Sequence, residues 1–368
     1  MKVLYVTSEC VPFIKTGGLA DVAGSLPAEL NRLGADVRVV LPKYRCIDGY
    51  WLSRMAHVTD FSVLFGPRSM YCGVETVTDN GVTYYFVDNE EMFSVDAIYG
   101  DGVQEGYRFA FFCRAVAEML RRLDFVPDVL HLNDWQAGLV AAMLRTQYAG
   151  DKRLAAMRIL FSIHNLRYQG VFDWHAMNAR LGFDERLFTP DYLEFYGSLS
   201  CMKAGLVFAD HINTVSPTYA QELKYAYFAH GLENVMSMNA RKLHGVLNGI
   251  DMERYDPASD TNLTANYSLR RMAGKAKDKA ALQRMMGLAE RKFAMVSRLV
   301  SHKGLDLVCE TLDYFMEKDM QLVVLGKGDG KYESYFSWAQ AKYPGRVAVH
   351  LGYSESLAMQ IYAGADLF

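Results

Sequence analysis

Cysteine is sparse and scattered in this 368-residue chain: Cys10, Cys46, Cys72, Cys113, Cys201 and Cys309 form no C-x-x-C pair, and no histidine cluster stands at ligand spacing. That argues against a zinc site and a disulfide framework, and reads as the scattered reduced thiols of a cytoplasmic protein. An excess of charge is missing too, and a net −3 gives no electrostatic footprint for nucleic acid. No apolar run approaches the roughly 20 residues of a spanning helix, so no membrane partner is expected. The opening MKVLYVTSECVPF passes from a short apolar run straight into polar residues, unlike a signal peptide. Sequons at Asn262 and Asn266 therefore carry little meaning. Low-complexity segments and repeats are not visible. G-x-x-x-x-G-K-[ST] and G-x-G-x-x-G are also lacking, which leaves a Walker A loop and a dinucleotide fingerprint unsupported.

What is present is ample core: 51% of the residues are apolar and 13% aromatic, in a length that suits two α/β domains. Residues 2–7 read as a short buried strand, 20–33 as a helix closed by Gly34, and 37–41 as the next strand. This is a βαβ unit of a parallel sheet. Alternation over 57–64, 71–77 and 82–87, with Asp79-Asn80-Gly81 as a turn, predicts an antiparallel excursion inserted in the sheet order. Residues 129–132, 159–163 and 212–215 are further buried strands. A second α/β series follows, with strands at 293–297, 321–325 and 347–351 and a helix at 305–317. Between the series, residues 256–279 are polar with few strand or helix-face signals. The expected division is 1–247, a connection at 248–285, and 286–368. About three strands in the second series, and a final Ala365-Asp366-Leu367-Phe368 that reads as the start of another, predict that this domain is incomplete here.

Several post-strand loops carry chemistry. In Lys15-Thr16-Gly17-Gly18-Leu19, two glycines permit close approach of a ligand and the following helix offers free N–H groups to an anion. A plain glycine turn fits equally well. His164-Asn165-Leu166-Arg167-Tyr168-Gln169-Gly170 gathers groups suited to sugar hydroxyls at a carboxyl strand end, where open α/β sheets bind ligands. Asp134-Trp135 sets a carboxylate beside an indole, as in many sugar sites, and equally as a helix N-cap beside a half-buried ring. Arg298 and Lys303 place two cations on one loop, which suits a diphosphate or, alternatively, solvent. Tyr353 could stack on a base or seal a domain edge. Gly326-x-Gly328-x-Gly330 is a weak signal. No metal motif and no carboxylate pair for a double displacement is evident.

SECVPFIKTGGLADVAGSLP, LPKY, HLNDWQAGL, SIHNLRYQG, KAGLVFADHINTVSPTYA, LNGID, SRLVSHKGLDL and LGKGDG follow one another along nearly the whole chain. Together they resemble the bacterial glycogen synthase and plant starch synthase family. The resemblance implies the GT-B architecture, two doubly wound Rossmann-like domains facing across a cleft. It also implies retaining transfer of glucose from ADP-glucose to an α-1,4-glucan, with no cofactor. By position it makes Lys15, Gly17 and Gly18 the donor loop, and Arg298 and Lys303 the diphosphate clamp. Tyr353 lies against the adenine and His164 beside the transferred glucose, with Asp21 and Asn248 nearby. Glu9, Tyr99, Asp134 and Trp135 line the acceptor side. Family members continue into a PSxFEPCGL-like segment bearing a glutamate regarded as catalytic, which this sequence lacks. An inactive glucan- or nucleotide-binding fragment, or a GT-B transferase using UDP-glucose, are the alternatives.

Overall fold

The computed structural model describes residues 1–288, 294–296, 299–318, 320–352 and 354–367. By its contacts the chain divides into two units, Met1–Gly249 and Ile250–Phe368.

The first unit is built on a nine-stranded sheet. Strand β1 (Lys2–Val6), helix α1 (Gly18–Arg32) and β2 (Asp36–Pro42) form the expected βαβ unit, with β1 and β2 parallel. Then come β3 (Ala56–Phe65), β4 (Arg68–Asp79), β5 (Val82–Asp88) and helix α2 (Val103–Leu120). Strand β6 (Val129–Asn133) runs directly into α3 (Asp134–Arg145), and β7 (Arg158–Ile163) follows. A small antiparallel sheet of β8 (Val171–Asp173), β9 (Glu194–Phe195) and β10 (Ser198–Ser200) precedes α4 (Cys201–Phe208). Strands β11 (His211–Thr214) and β12 (Leu243–Gly245) finish the sheet.

The strand order is β12-β11-β7-β6-β1-β2-β5-β4-β3. All pairings from β12 through β5 are parallel, and β3 and β4 are antiparallel. The antiparallel excursion is therefore not inserted in the sheet order. It is appended at the edge, and its third strand belongs to the parallel sheet. The physical reason lies in β5: Tyr84, Tyr85, Phe86 and Val87 are all buried, so this strand is covered on both faces, whereas β3 is largely exposed. The turn between β4 and β5 has Asn80 at φ 44° and Gly81 at φ 72°, the two positive values of a tight hairpin.

This order fixes where a ligand can bind. From β1 the chain proceeds to one side through β2 and β5, then crosses to the other through β6, β7, β11 and β12. The reversal falls between β1 and β6. In open α/β sheets a crevice opens at the carboxyl ends of the strands at such a point.

The second unit, taken by itself, begins with an irregular stretch and helix α5 (Ala273–Met285). Its sheet, among the described residues, is β13 (Ala294–Val296), β14 (Leu322–Gly326) and β15 (Val347–Leu351), all parallel. Helix α6 (Leu305–Glu317) and helix α7 (Gly330–Lys342) make the crossovers, and α8 (Glu355–Gly364) follows β15. Helix α5 corrects the reading of 256–279 as having few helix-face signals, over the part from residue 273 onward. It is lysine-rich and turns only a narrow face inward, with Leu282 in an apolar cluster with Ala358 and Ile361 of α8. Residues 365–367 form no strand, unlike the expectation for that stretch.

Candidate active site

Three loops at the switch point hold most of the residues singled out from sequence. After β1, the chain turns over a buried Glu9. Glu9 Oε2 accepts from the Thr16 backbone N–H at 2.5 Å, from Thr16 Oγ1 at 2.8 Å and from the Gly17 N–H at 3.3 Å. The glutamate thus holds the Lys15–Gly18 loop from beneath. Lys15 Nζ meets Asp21 Oδ1 at 2.7 Å, so its charge is shared with the first turn of α1. The Gly17 N–H is engaged by Glu9, and Gly18 is the glycine left clear: a Cβ built there has no atom within 4 Å. Helix α1 has no side-chain cap, and its amino end carries the positive pole of fifteen residues of helix.

Tyr99 comes to the same loop, its hydroxyl 2.8 Å from Ser8 Oγ. Burial raises the phenol pKa well above its usual value, and the charges of Glu9 and Asp134 push it the same way. That coupling brings Glu9, Tyr99 and Asp134 together as one neighbourhood.

Asp134 opens α3 directly from the end of β6 with φ 54°, a left-handed conformation that a non-glycine residue adopts at a cost of about 1–3 kcal/mol. Its Oδ1 accepts from the His164 backbone N–H at 2.8 Å and from the Asn165 N–H at 3.4 Å. Burial lifts the carboxyl to about 7, against the opposing pull of those two N–H groups. Asp134 therefore joins the ends of β6 and β7. The ring of His164 lies alongside, with Nε2 3.0 Å from Asn133 Oδ1, and burial lowers its pKa to about 4.

Trp135 takes a different place from the one its sequence position suggested. It is buried, with its ring centroid 5.1 Å from Phe109 and 5.6 Å from Phe172. A Cβ built on Gly170 would lie 2.2 Å from the indole, and Gly170 has φ 58°. The indole is a packing anchor for the His164–Gly170 loop, with no open face for a sugar. Asn248 lies exposed in the loop after β12. In the second unit, Lys303 is exposed at the end of a single helical turn, Ser301–Lys303. Arg298 and Tyr353 lie outside the described residues.

Sequence reasoning passed over a polar row beneath this surface. His131 Nε2 is 2.5 Å from Ser162 Oγ, which donates to Asn213 Oδ1 at 2.5 Å, so β6, β7 and β11 are linked side chain to side chain. Burial holds His131 at about 3. Asn133, two residues on, is fully buried and donates through Nδ2 to the carbonyls of Val6 at 3.0 Å and His131 at 3.2 Å. The signal was the polar alternation of His131 and Asn133 inside a buried strand, overshadowed by the Asp134-Trp135 pair beside it.

A family model described as the starch synthase catalytic domain matches residues 2–238. The chain is 50% identical to a glycogen synthase of Geobacillus thermodenitrificans, over 100% of this chain and 76% of that protein. It is 44% identical to one of Anoxybacillus flavithermus, over 100% and 77%. Among solved structures, the catalytic domain of starch synthase IV from Arabidopsis thaliana bound to ADP and acarbose is similar with a TM-score of 0.92. That likeness has 30% identity and covers 100% of this chain and 77% of that one. The expected α/β fold of the GT-B class is thereby borne out.

Proposed function

This chain belongs to the glycogen and starch synthase family of glycosyltransferases, and from that premise we propose that it transfers glucose from ADP-glucose to the non-reducing end of an α-1,4-glucan with retention. The observation that carries the reading is the joined end of β6 and β7. There Asp134 fixes the backbone of His164 at the switch point, beside Glu9, Tyr99 and the open amino end of α1.

In this reading the C1–O bond to the diphosphate breaks through an oxocarbenium-like state and the glucan O4 attacks the same face. Charge accumulates on the departing ADP. The free N–H groups beginning at Gly18, with Lys15, Arg298 and Lys303, are assigned to that charge, since preorganised donors are usually the largest catalytic contribution. Tyr353 is assigned to the adenine. His164 holds the glucose, with Asp21 and Asn248 nearby, and Glu9, Tyr99 and Asp134 shape the acceptor side. Trp135 supports that side from within. The reading needs no cofactor and places the enzyme in the cytoplasm. The ADP carried by the Arabidopsis structure supports the adenine nucleotide, and its acarbose supports an oligosaccharide acceptor.

The test is turnover of ADP-glucose and UDP-glucose on glycogen, with His164→Ala beside the parent. Transfer from ADP-glucose, with kcat lowered far more than ADP affinity in the variant, is the expected pattern of an interaction made mainly in the transition state. Normal turnover with a large drop in Tm would make His164 a structural histidine.

A further inference from the structure

Asn133 is not a residue that sequence or family reasoning marked, yet its amide is the partner that decides how the His164 ring presents itself. The asparagine orientation is set by three contacts. Nδ2 faces two backbone carbonyl oxygens, of Val6 and His131, and only an NH₂ group can satisfy both. The opposite amide orientation would set Oδ1 against those two acceptors in a fully buried position. Oδ1 therefore faces His164 Nε2 at 3.0 Å, and an amide oxygen can only accept. The proton must be on Nε2.

We propose that Asn133 is a positioning residue that locks His164 in its Nε2–H tautomer, so that the ring meets the bound sugar with an Nδ1 lone pair and acts as acceptor for a sugar hydroxyl. This deepens the reading in which glucose is held beside His164. The lock works only on a neutral ring, and the groups around it keep it neutral. Asp134, on α3, directs its carboxyl to the His164 backbone N–H rather than to the ring, and buried His131, on β6, is itself uncharged. With a neutral amide as the ring partner, burial dominates and protonation is pushed down to about 4. The ring then has one fixed donor direction, into the protein, and one fixed acceptor direction. An imidazolium, or an Nδ1–H tautomer, would turn that acceptor into a donor and reverse which hydroxyl geometry is tolerated.

The first experiment requires no mutation of the lock. The chain has nine histidines. Labelled with ¹⁵N-histidine, the His164 signals are assigned by their loss in His164→Gln. The expected two-bond ¹H–¹⁵N pattern is that of a single Nε2–H tautomer, unchanged from pH 8 down to pH 5. An Nδ1–H pattern, an averaged pattern, or titration near the ordinary histidine value overturns the proposal. The second experiment replaces the neutral acceptor by a charged one, Asn133→Asp. A carboxylate next to the ring favours imidazolium, typically by about one to three pH units. The acid limb of kcat/KM is expected to climb into the range of roughly pH 5–7, with about a twofold to hundredfold loss at pH 5 that recovers near pH 8.5. A profile superimposable on the parent's overturns the proposal. If the parent shows the Nε2–H pattern but transfers no glucose, the tautomer assignment stands and the activity reading fails.

Discussion

Asp134→Asn isolates one number that the structure supplies. Asparagine keeps an oxygen for the His164 and Asn165 N–H groups while removing the carboxyl that burial holds at about 7 instead of its ordinary 3.8. Because the folded-state value is raised, the folded chain binds this proton more tightly than the unfolded chain. The stability that this proton provides is complete below about pH 3.8 and is lost as pH rises through 7. The full loss is about 4 kcal/mol, and integrating between pH 5 and pH 8 puts about 2–3 kcal/mol of it in that window. The variant lacks this penalty. Its Tm relative to the parent should therefore rise between pH 5 and pH 8 by roughly 5 °C, taking the unfolding entropy of about 250 residues. Scanning calorimetry of both proteins at pH 5, 6.5 and 8 measures the change, and every other titrating group cancels in the difference. A Tm gap that stays constant, or that moves against the variant as pH rises, refutes the argument and places the carboxyl in a solvated or ion-paired setting. Transfer should fall in the same variant at pH 8, where the parent carries the charge and the variant does not.

The parts of this molecule that were legible in the sequence are those where one physical cause acted alone. Strands β1, β2, β6, β7 and β14 are buried on both faces, and a run of adjacent apolar residues has little other use in a chain of this size. The loop motifs were legible because parallel strands put their carboxyl ends on one side, so motifs far apart in sequence meet. What could not be read depended on partners distant in sequence. Helix α5 has a mostly solvated lysine-rich surface, and it is held by α8, some eighty residues later, with Lys275 Nζ on the carbonyls of Ala363 at 2.7 Å and Ala365 at 2.8 Å. Strand β12 has only three residues and is defined by its parallel register to β11. Trp135 looked like a sugar platform because an indole after a strand does not reveal that Gly170 will close on it. Lys203, in the KAGLVFADHINTVSPTYA segment, drew no reading of its own from the sequence. It is buried, with Nζ donating to the carbonyls of Pro190 at 2.5 Å and Glu194 at 2.6 Å, and burial lowers its pKa. The tautomer of His164 likewise has no sequence signal, because it follows from the two carbonyls behind Asn133.

The remaining predictions concern the loops. Lys303→Ala, at an exposed residue, should leave Tm within experimental error and lower kcat/KM for ADP-glucose by roughly two to three orders of magnitude; near-parent kinetics would make it a solvated surface charge. Gly170→Ala should cost roughly 2–4 kcal/mol, since the new methyl meets the Trp135 ring at 2.2 Å on a backbone with φ 58°. A Tm shift below about 2 °C would show that the loop is free to move off the indole. Glu9→Gln bears on whether the Lys15–Gly18 loop, proposed to meet the donor, depends on a residue proposed for the acceptor side. The carboxylate collects three donors, Thr16 N–H, Thr16 Oγ1–H and Gly17 N–H, and holds the amino approach to α1 together with the Lys15–Asp21 ion pair and the Val11 N–H on the Ala20 carbonyl. A glutamine loses the charge that strengthens those bonds and brings an NH₂ toward the same donors, so the loop should relax by about 1–3 kcal/mol. If Glu9 sets the loop as well as facing the glucan, calorimetric affinity for ADP alone must weaken, by about fivefold or more, in the absence of any acceptor. Unchanged ADP affinity with a raised KM for glycogen would confine Glu9 to the acceptor and would mean that Gly18 and α1 keep their geometry without it.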